Sequence, residues 1–190
     1  GTANVSTPAT VQDGDSYLRD VKQIAAGDSH TCALIDVEGK DNPANSTTYS
    51  DNIVKCWGRE ANGRLANGAT SNYSKAGDAV KVASGVDKLT EVSQIAAGAD
   101  HTCALLTGGT VKCWGEEDYK RLGNNSTDNQ NYPVSFQVIP SDPNDLTPDD
   151  LTGIEKVVAG GKDTCVILAN NDIRCRGGSF TDNTDNYQDF

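Results

Sequence analysis

A chain of 190 residues with 16 basic and 27 acidic side chains carries a formal net charge of −11. That balance argues against nucleic acid as a partner, since such binding rests on phosphate neutralisation by Lys and Arg, and against a polybasic membrane contact; a surface kept soluble by repulsion is the plain reading. No run of about 18 apolar residues exists to cross a bilayer as a helix, and the length suffices for one domain with a sizeable core.

The opening Gly1-Thr2-Ala3, with no initiator Met, basic stretch or apolar stretch behind it, reads as a mature or excised fragment. Residues 1–20 are polar, and 7–11 form their one short strand-like piece. Val11 precedes Ile24 by 13 residues, as Val82 precedes Ile95. The segment is therefore either the closing strand of a preceding repeat or a frayed terminus, and both readings stand.

The first repeat, residues 21–82, opens on IAAGDSHTCAL at 24–34 and continues after an insert with VKCWG at 54–58. The insert, 36–51, is rich in Gly, Pro, Asn and Ser and reads as an exposed loop. A turn-rich piece at 58–68 follows, directing Leu65 inward, and Val80–Val82 closes the unit. The second repeat, 92–139, carries IAAGADHTCAL at 95–105 and VKCWG at 111–115, and its residues 116–124 match 59–67 position for position. Residues 134–139 are expected to form its closing strand, before a Pro- and Asp-rich excursion at 140–150. The third repeat, 154–177, is a worn copy: VVAGGKDTCVI at 157–167 and IRCRG at 173–177. Residues 178–190 are polar, with no evident closing strand. The repeat cores alternate and are β-branched, with Gly and Asn at the breaks, so the fold class is all-β and the three units form one repeat domain.

Six cysteines fall into repeat-locked pairs: Cys32 with Cys56, Cys103 with Cys113, and Cys165 with Cys175. If Cys103 faces Cys113 across an antiparallel hairpin, Ala104 faces Lys112, Leu105 faces Val111, and Thr107-Gly108-Gly109 remains as a three-residue loop that wants a left-handed residue. Asn171 can take that conformation in the third copy. Cys103, Leu105, Val111 and Cys113 then share one face, and Thr102, Ala104, Leu106 and Trp114 the other. Both are largely apolar, so each small sheet should pack between two others. Zinc motifs place Cys two to four residues apart, and no C-x-x-C occurs; disulfides within each repeat are the better reading, which puts the protein outside a reducing cytoplasm, secreted or at a cell surface.

The pattern IAAGxxHTCAL…VKCWG…GxLG resembles the repeats of the regulator of chromosome condensation family, and most closely its bacterial branch, which includes beta-lactamase inhibitory protein II. The resemblance covers residues 21–177. It implies a β-propeller of four-stranded blades and a protein that is not an enzyme. Three departures are visible: Leu65-Ala66 for Leu-Gly, Asp163 for His and Arg176 for Trp. Three repeats do not fill a propeller ring, so the chain is expected either to close it as a homo-oligomer, a dimer or trimer, or to belong to a longer chain.

His30 and His101 occupy one repeat position and read as packing and hydrogen-bonding residues; Trp57 and Trp114 read as inter-blade packing residues. No nucleophile elbow is recognisable, the acidic clusters at 142–150 and 182–189 lack calcium-loop spacing, and no catalytic residue, metal or cofactor is assigned. Recognition then falls to the unrepeated segments 36–51, 71–76, 124–132 and 141–150, with Tyr49, Tyr73, Tyr119 and Tyr132 in or beside them; merely tolerated insertions are the competing reading. The function read from these features is an extracellular, adhesin-like binding module for a protein or glycan on another surface. A secreted enzyme inhibitor and a nucleotide-exchange factor are the alternatives that the resemblance implies.

Overall fold

The computed structural model describes residues 9–36, 52–68, 72, 76–82, 87–138 and 149–178. A two-residue hairpin, β1 (Gln12–Asp13) with β2 (Ser16–Tyr17), leads into the first blade, whose strands are β3 (Val21–Ala26), β4 (His30–Ile35) and β5 (Ile53–Gly58). The second blade has four strands, β6 (Val92–Ala97), β7 (His101–Leu106), β8 (Val111–Gly115) and β9 (Gln130–Ser135). A second short hairpin, β10 (Gln137–Val138) with β11 (Asp149–Asp150), leads to the third blade, β12 (Ile154–Gly160), β13 (Asp163–Leu168) and β14 (Ile173–Gly177). Every ladder is antiparallel, and the three blades do not close into a ring.

The hairpin register follows from the cysteines and the turn. Cys103 lies opposite Cys113, Ala104 opposite Lys112 and Leu105 opposite Val111, with the same pairing around Cys32–Cys56 and Cys165–Cys175. All three pairs are disulfides, each with Cα atoms 4.1 Å apart. Gly109 at φ 74° and Asn171 at φ 67° take the left-handed position of their turns, which only a residue without a Cβ penalty, or Asn, adopts readily.

The two faces of each blade then pack against different neighbours. Cys32, Leu34, Val54 and Cys56 of blade one meet Ile95, Ala104 and Trp114 of blade two in one buried cluster. Cys103, Leu105, Val111 and Cys113 of blade two meet Val157 and Val166 of blade three in the next. The core is thus two seams between blades, with a disulfide lying in each, and a smaller buried cluster of Ala33, Ile35, Ile53 and Ala79 on the other face of blade one, packed by Leu18 and Trp57.

The closing strands depart from expectation. In blade two the fourth strand is Gln130–Ser135, four residues earlier than the expected 134–139, because Phe136 is buried and the chain there bends into β10. In blade one no continuous fourth strand forms among the described residues; Gly77 and Val80 donate N–H to Cys56 and Val54 carbonyls (3.1 and 2.8 Å), and Ala79 bridges Lys55. The entry to each blade repeats one bond: Leu18 N–H to Val11 C=O, Leu89 to Val80, and Leu151 to Phe136. Val11 therefore corresponds to Val80 rather than to Val82.

Candidate functional site

The repeat-locked polar residues lie inside the seams. A bulge in β3 between Val21 and Gln23, repeated in β6 between Val92 and Gln94, re-aims the glutamine that follows. The Gln23 amide donates to the Ile95 carbonyl (2.7 Å) and accepts from the Ile95 N–H (2.9 Å); Gln94 does the same at Val157 (3.1 and 3.0 Å). Each glutamine thus satisfies the free edge of the next blade's inner strand. A backbone ladder runs beside it, from Asp28 N–H to Ala99 C=O and from Ala99 N–H to Gly161 C=O.

The histidines complete the coupling. His30 Nε2 meets Thr102 Oγ1 at 2.7 Å and His101 Nε2 meets Thr164 Oγ1 at 2.8 Å, and each hydroxyl also reaches a half-cystine sulfur, Cys32 at 3.6 Å or Cys103 at 3.8 Å. A disulfide sulfur has no proton, so the hydroxyl donates to sulfur and the imidazole Nε2–H donates to the hydroxyl. The Nδ1 atoms are then bare acceptors, a smaller penalty than an unpaired N–H. Burial, helped by the nearby Arg64 or Arg121, lowers both imidazoles to about 4, so they are neutral at physiological pH. Each ring lies over a glycine, and a Cβ on Gly27 or Gly98 would collide with it.

The loops after β5 and β8 close the seams from outside. Glu60 and Glu117 turn inward to accept the N–H groups of Leu65 (3.1 Å) and Leu122 (2.7 Å). Burial raises both carboxyls, Glu117 to about 7. Arg64 pairs across the first seam with Asp100 (2.6 Å), and Arg121 pairs within its own loop with Glu116 (2.9 Å).

Such an arrangement fixes blades and does no chemistry. Each histidine faces a fully buried threonine of the next blade, with no room for a substrate. Among the described residues no group of three His, Cys, Asp or Glu side chains is placed to hold a metal ion.

Tyr49 and Tyr73 lie outside the described residues. Tyr119, left-handed at φ 66° and about half exposed, rests under the Lys162 ammonium (4.5 Å to the ring centroid) and beside the Gly178 backbone of blade three. Tyr132 lies within β9, half-buried, its hydroxyl near Gly68 of blade one. The two flank blade two on opposite sides. Of the expected binding loops, 124–132 is described in full, and its last three residues belong to β9; the turns of 124–129 are self-held by Asn124 Oδ1 on Ser126 N–H and Ser126 Oγ on Asp128 N–H, while Thr127, Asp128 and Asn129 are exposed.

Sequence reading gave Gln23, Gln94, Thr102 and Thr164 no role. A signal was present: QIAAG stands at 23–27 and again at 94–98, and the third copy loses Gln, as Lys156, together with His, as Asp163. Residues that are kept and lost together act on one interface.

Comparison with known proteins fits this geometry. Two models of the regulator of chromosome condensation (RCC1) repeat match, over residues 54–105 and 92–120. The first runs from β5 of one blade to β7 of the next, so this sequence unit spans a seam. The chain is 34% identical over 103 residues to the ultraviolet-B receptor UVR8 of Arabidopsis thaliana, covering 54% of this chain and 19% of the receptor. It is 31% identical over 114 residues to the human E3 ubiquitin-protein ligase HERC2, covering 59% of this chain and 2% of the ligase. It therefore spans a fifth or less of the length of these relatives. Among solved structures, human WBSCR16 superposes with a TM-score of 0.60 at 22% identity, covering 88% of this chain and 34% of that one. Prp20p of Saccharomyces cerevisiae gives 0.56 at 17%, covering 83% and 30%. The resemblance to the bacterial beta-lactamase inhibitory branch gains no support from these matches. The chain carries β-propeller repeats of the regulator of chromosome condensation type.

Proposed function

We propose that this chain is a non-catalytic protein-binding module acting outside a reducing cytoplasm, secreted or at a cell surface, with the loop 124–129 of blade two as part of its contact surface. The observation that carries the reading is the division of labour in the fold. The repeat-locked imidazoles are enclosed in disulfide-bearing seams, whereas the unrepeated loop stands out, polar and self-supported. Three disulfides and no free cysteine favour an oxidising compartment. Among the described residues no helix is long and apolar enough to cross a membrane. Prp20p is described with binding properties to Gsp1p and histones, which favours protein over glycan as the ligand class. An adhesin-like contact with a protein on another cell is the form we favour, because the disulfides disfavour an intracellular exchange role.

The test is binding of the purified oxidised chain to arrays of cell-surface proteins and, in parallel, of glycans. Saturable binding to a protein, weakened about tenfold or more when residues 125–128 are removed with melting unchanged, is the expected outcome. Binding confined to glycans, or binding indifferent to the loop, would sink it.

A further inference from the structure

Five asparagines head an Asn-x-Ser/Thr triplet whose middle residue is not proline: Asn4, Asn45, Asn72, Asn124 and Asn125. That triplet is the acceptor pattern for an N-linked glycan, and a bulky glycan is kept in the native state only where the asparagine stands clear of the fold. Asn4 and Asn45 lie outside the described residues, as do Tyr73 and Ser74 of the third triplet. The last two triplets overlap, at 124–126 and 125–127, and the geometry separates them.

Asn124 is committed to the fold. It is half-buried, its Oδ1 accepts the Ser126 N–H at 3.2 Å, and it stands where blade one has the buried Asn67. Asn125 is not. It is exposed, its side chain makes no hydrogen bond among the described residues, and it stands where blade one has Gly68. The frame around the two positions is the same, since Asn72 and Asn129 each accept the N–H of the inward-turning glutamate, Glu60 at 2.8 Å and Glu117 at 2.9 Å. Gly68 has φ 75° and Asn125 has φ 56°, a left-handed position that Gly fills freely and Asn tolerates. The exchange of Gly for Asn therefore keeps the turn and adds an exposed carboxamide. Two residues on, the Thr127 side chain is also exposed and makes no hydrogen bond among the described residues.

We infer that Asn125 is an acceptor for an N-linked glycan when the chain passes a compartment holding an oligosaccharyl transferase and a lipid-pyrophosphate-linked oligosaccharide. In the transfer the Asn125 Nδ2 gives up one proton and bonds to the anomeric carbon of the sugar. The bond from that carbon to the pyrophosphate oxygen breaks, the lipid pyrophosphate leaves with its electron pair, and no oxidant or reductant takes part. The inference rests on the oxidising compartment read from the three disulfides, and not on the partner assigned to the loop 124–129. The glycan stands on that loop, so modified and unmodified chains present different surfaces there. It lies outside both buried seams and leaves their packing as it is.

The test uses the full chain, led by a signal peptide into the secretory pathway of cultured mammalian cells and collected from the medium. Free thiols are counted, and peptide N-glycosidase in heavy-oxygen water turns each glycan-bearing Asn into a labelled Asp that peptide mass spectrometry places. Label at Asn125 in a chain without free thiols is the expected result. Ser126→Ala breaks only the 124–126 triplet and should keep the label, whereas Thr127→Ala breaks only the 125–127 triplet and should lose it; neither residue is buried. A fully oxidised chain left bare at Asn125, or label that survives Thr127→Ala, would overturn the inference and leave the compartment reading standing. A chain collected with free thiols would overturn the compartment reading, and the inference with it.

Discussion

The seam between blades one and two and the seam between blades two and three use one plan at the inner strands and two plans at the loops. Glutamine to main chain, histidine to threonine and the backbone rung are repeated within a few tenths of an ångström. At the loops the residues change in matched sets. In the first seam position 59 is Arg and position 100 is Asp, so Arg64 cannot pair in its own loop and crosses to Asp100. In the second the corresponding positions are Glu116 and Lys162, so Arg121 turns back to Glu116, and Tyr119, standing where Asn62 stands, receives the lysine on its ring. Volume is exchanged the same way. Phe136 fills the space that a Cβ on Gly123 would need, whereas Val80 in the first repeat leaves room for Ala66. Directional bonds to the main chain tolerate no exchange, and loop contacts do, provided that both sides change together.

The largest asymmetry to break is the tryptophan. Trp114 is fully buried in the first seam and donates Nε1–H to the Arg64 carbonyl (3.0 Å), while its counterpart in the second seam is the half-buried Arg176. Trp114→Ala should cost about 3–5 kcal/mol through the cavity and the orphaned carbonyl. Arg176→Ala should cost about 1 kcal/mol or less. Denaturant midpoints of the two variants measure this, and equal losses would mean that the seams are held alike despite their residues.

Protonation sharpens the comparison next, because each seam encloses one neutral imidazole and only the loop closing the second has a carboxyl raised to about 7. The folded histidines, near 4 against an ordinary 6.5, bind fewer protons than the unfolded chain between those values, so their contribution is lost as pH falls from 6.5 to 4. Glu117 acts oppositely: folded it keeps a proton between 4.5 and 7 that the unfolded chain gives up, so its contribution is lost as pH rises through that window. Two histidines against Glu117, with the raised Glu60 offsetting in the same sense as Glu117, leave a net loss on acidification, on the order of 2 kcal/mol between pH 6.5 and 4. Glu117→Gln should steepen the fall, since Glu60 alone then offsets the histidines. A stability profile that rises on acidification would contradict the enclosure of both rings.

The hairpins and their faces were legible because cysteine spacing, a three-residue turn and period-two alternation all specify one register. The fourth strand of blade two was not. Gln130-Asn131-Tyr132-Pro133 is polar and contains a proline, which an outer strand accepts, and the apolar residues from Val134 onward drew the expected strand past its end. His30, His101 and Trp114 were read correctly as seam residues from their repetition, whereas Trp57 packs on the outward face of blade one. The glutamines were passed over because their role depends on a bulge that turns the side chain along the strand edge, which alternation does not encode. Tyr119 drew a binding reading as an aromatic residue in a variable loop, and only the charge at position 162, 43 residues away, explains why it is there.

That charge permits the smallest test. Lys162→Asp restores in the second seam the sign found at Asp100 in the first, and it offers the buried Arg121 a partner across the seam in place of Glu116. It also removes the cation from the Tyr119 ring. At so exposed a site the cation–π contact should be worth about 0.5–1 kcal/mol, similar to what a new ion pair would return, so the single variant should melt close to wild type. The coupling is what distinguishes the two plans. In a double-mutant cycle of Lys162→Asp with Tyr119→Ala, the loss from Tyr119→Ala should shrink by about 0.5–1 kcal/mol once the lysine is gone. The same tyrosine loss in both backgrounds would mean that Tyr119 is held by the Gly178 backbone and the Arg121 guanidinium without help from Lys162. The exchange of Asn62 for Tyr119 would then owe nothing to the charge at position 162.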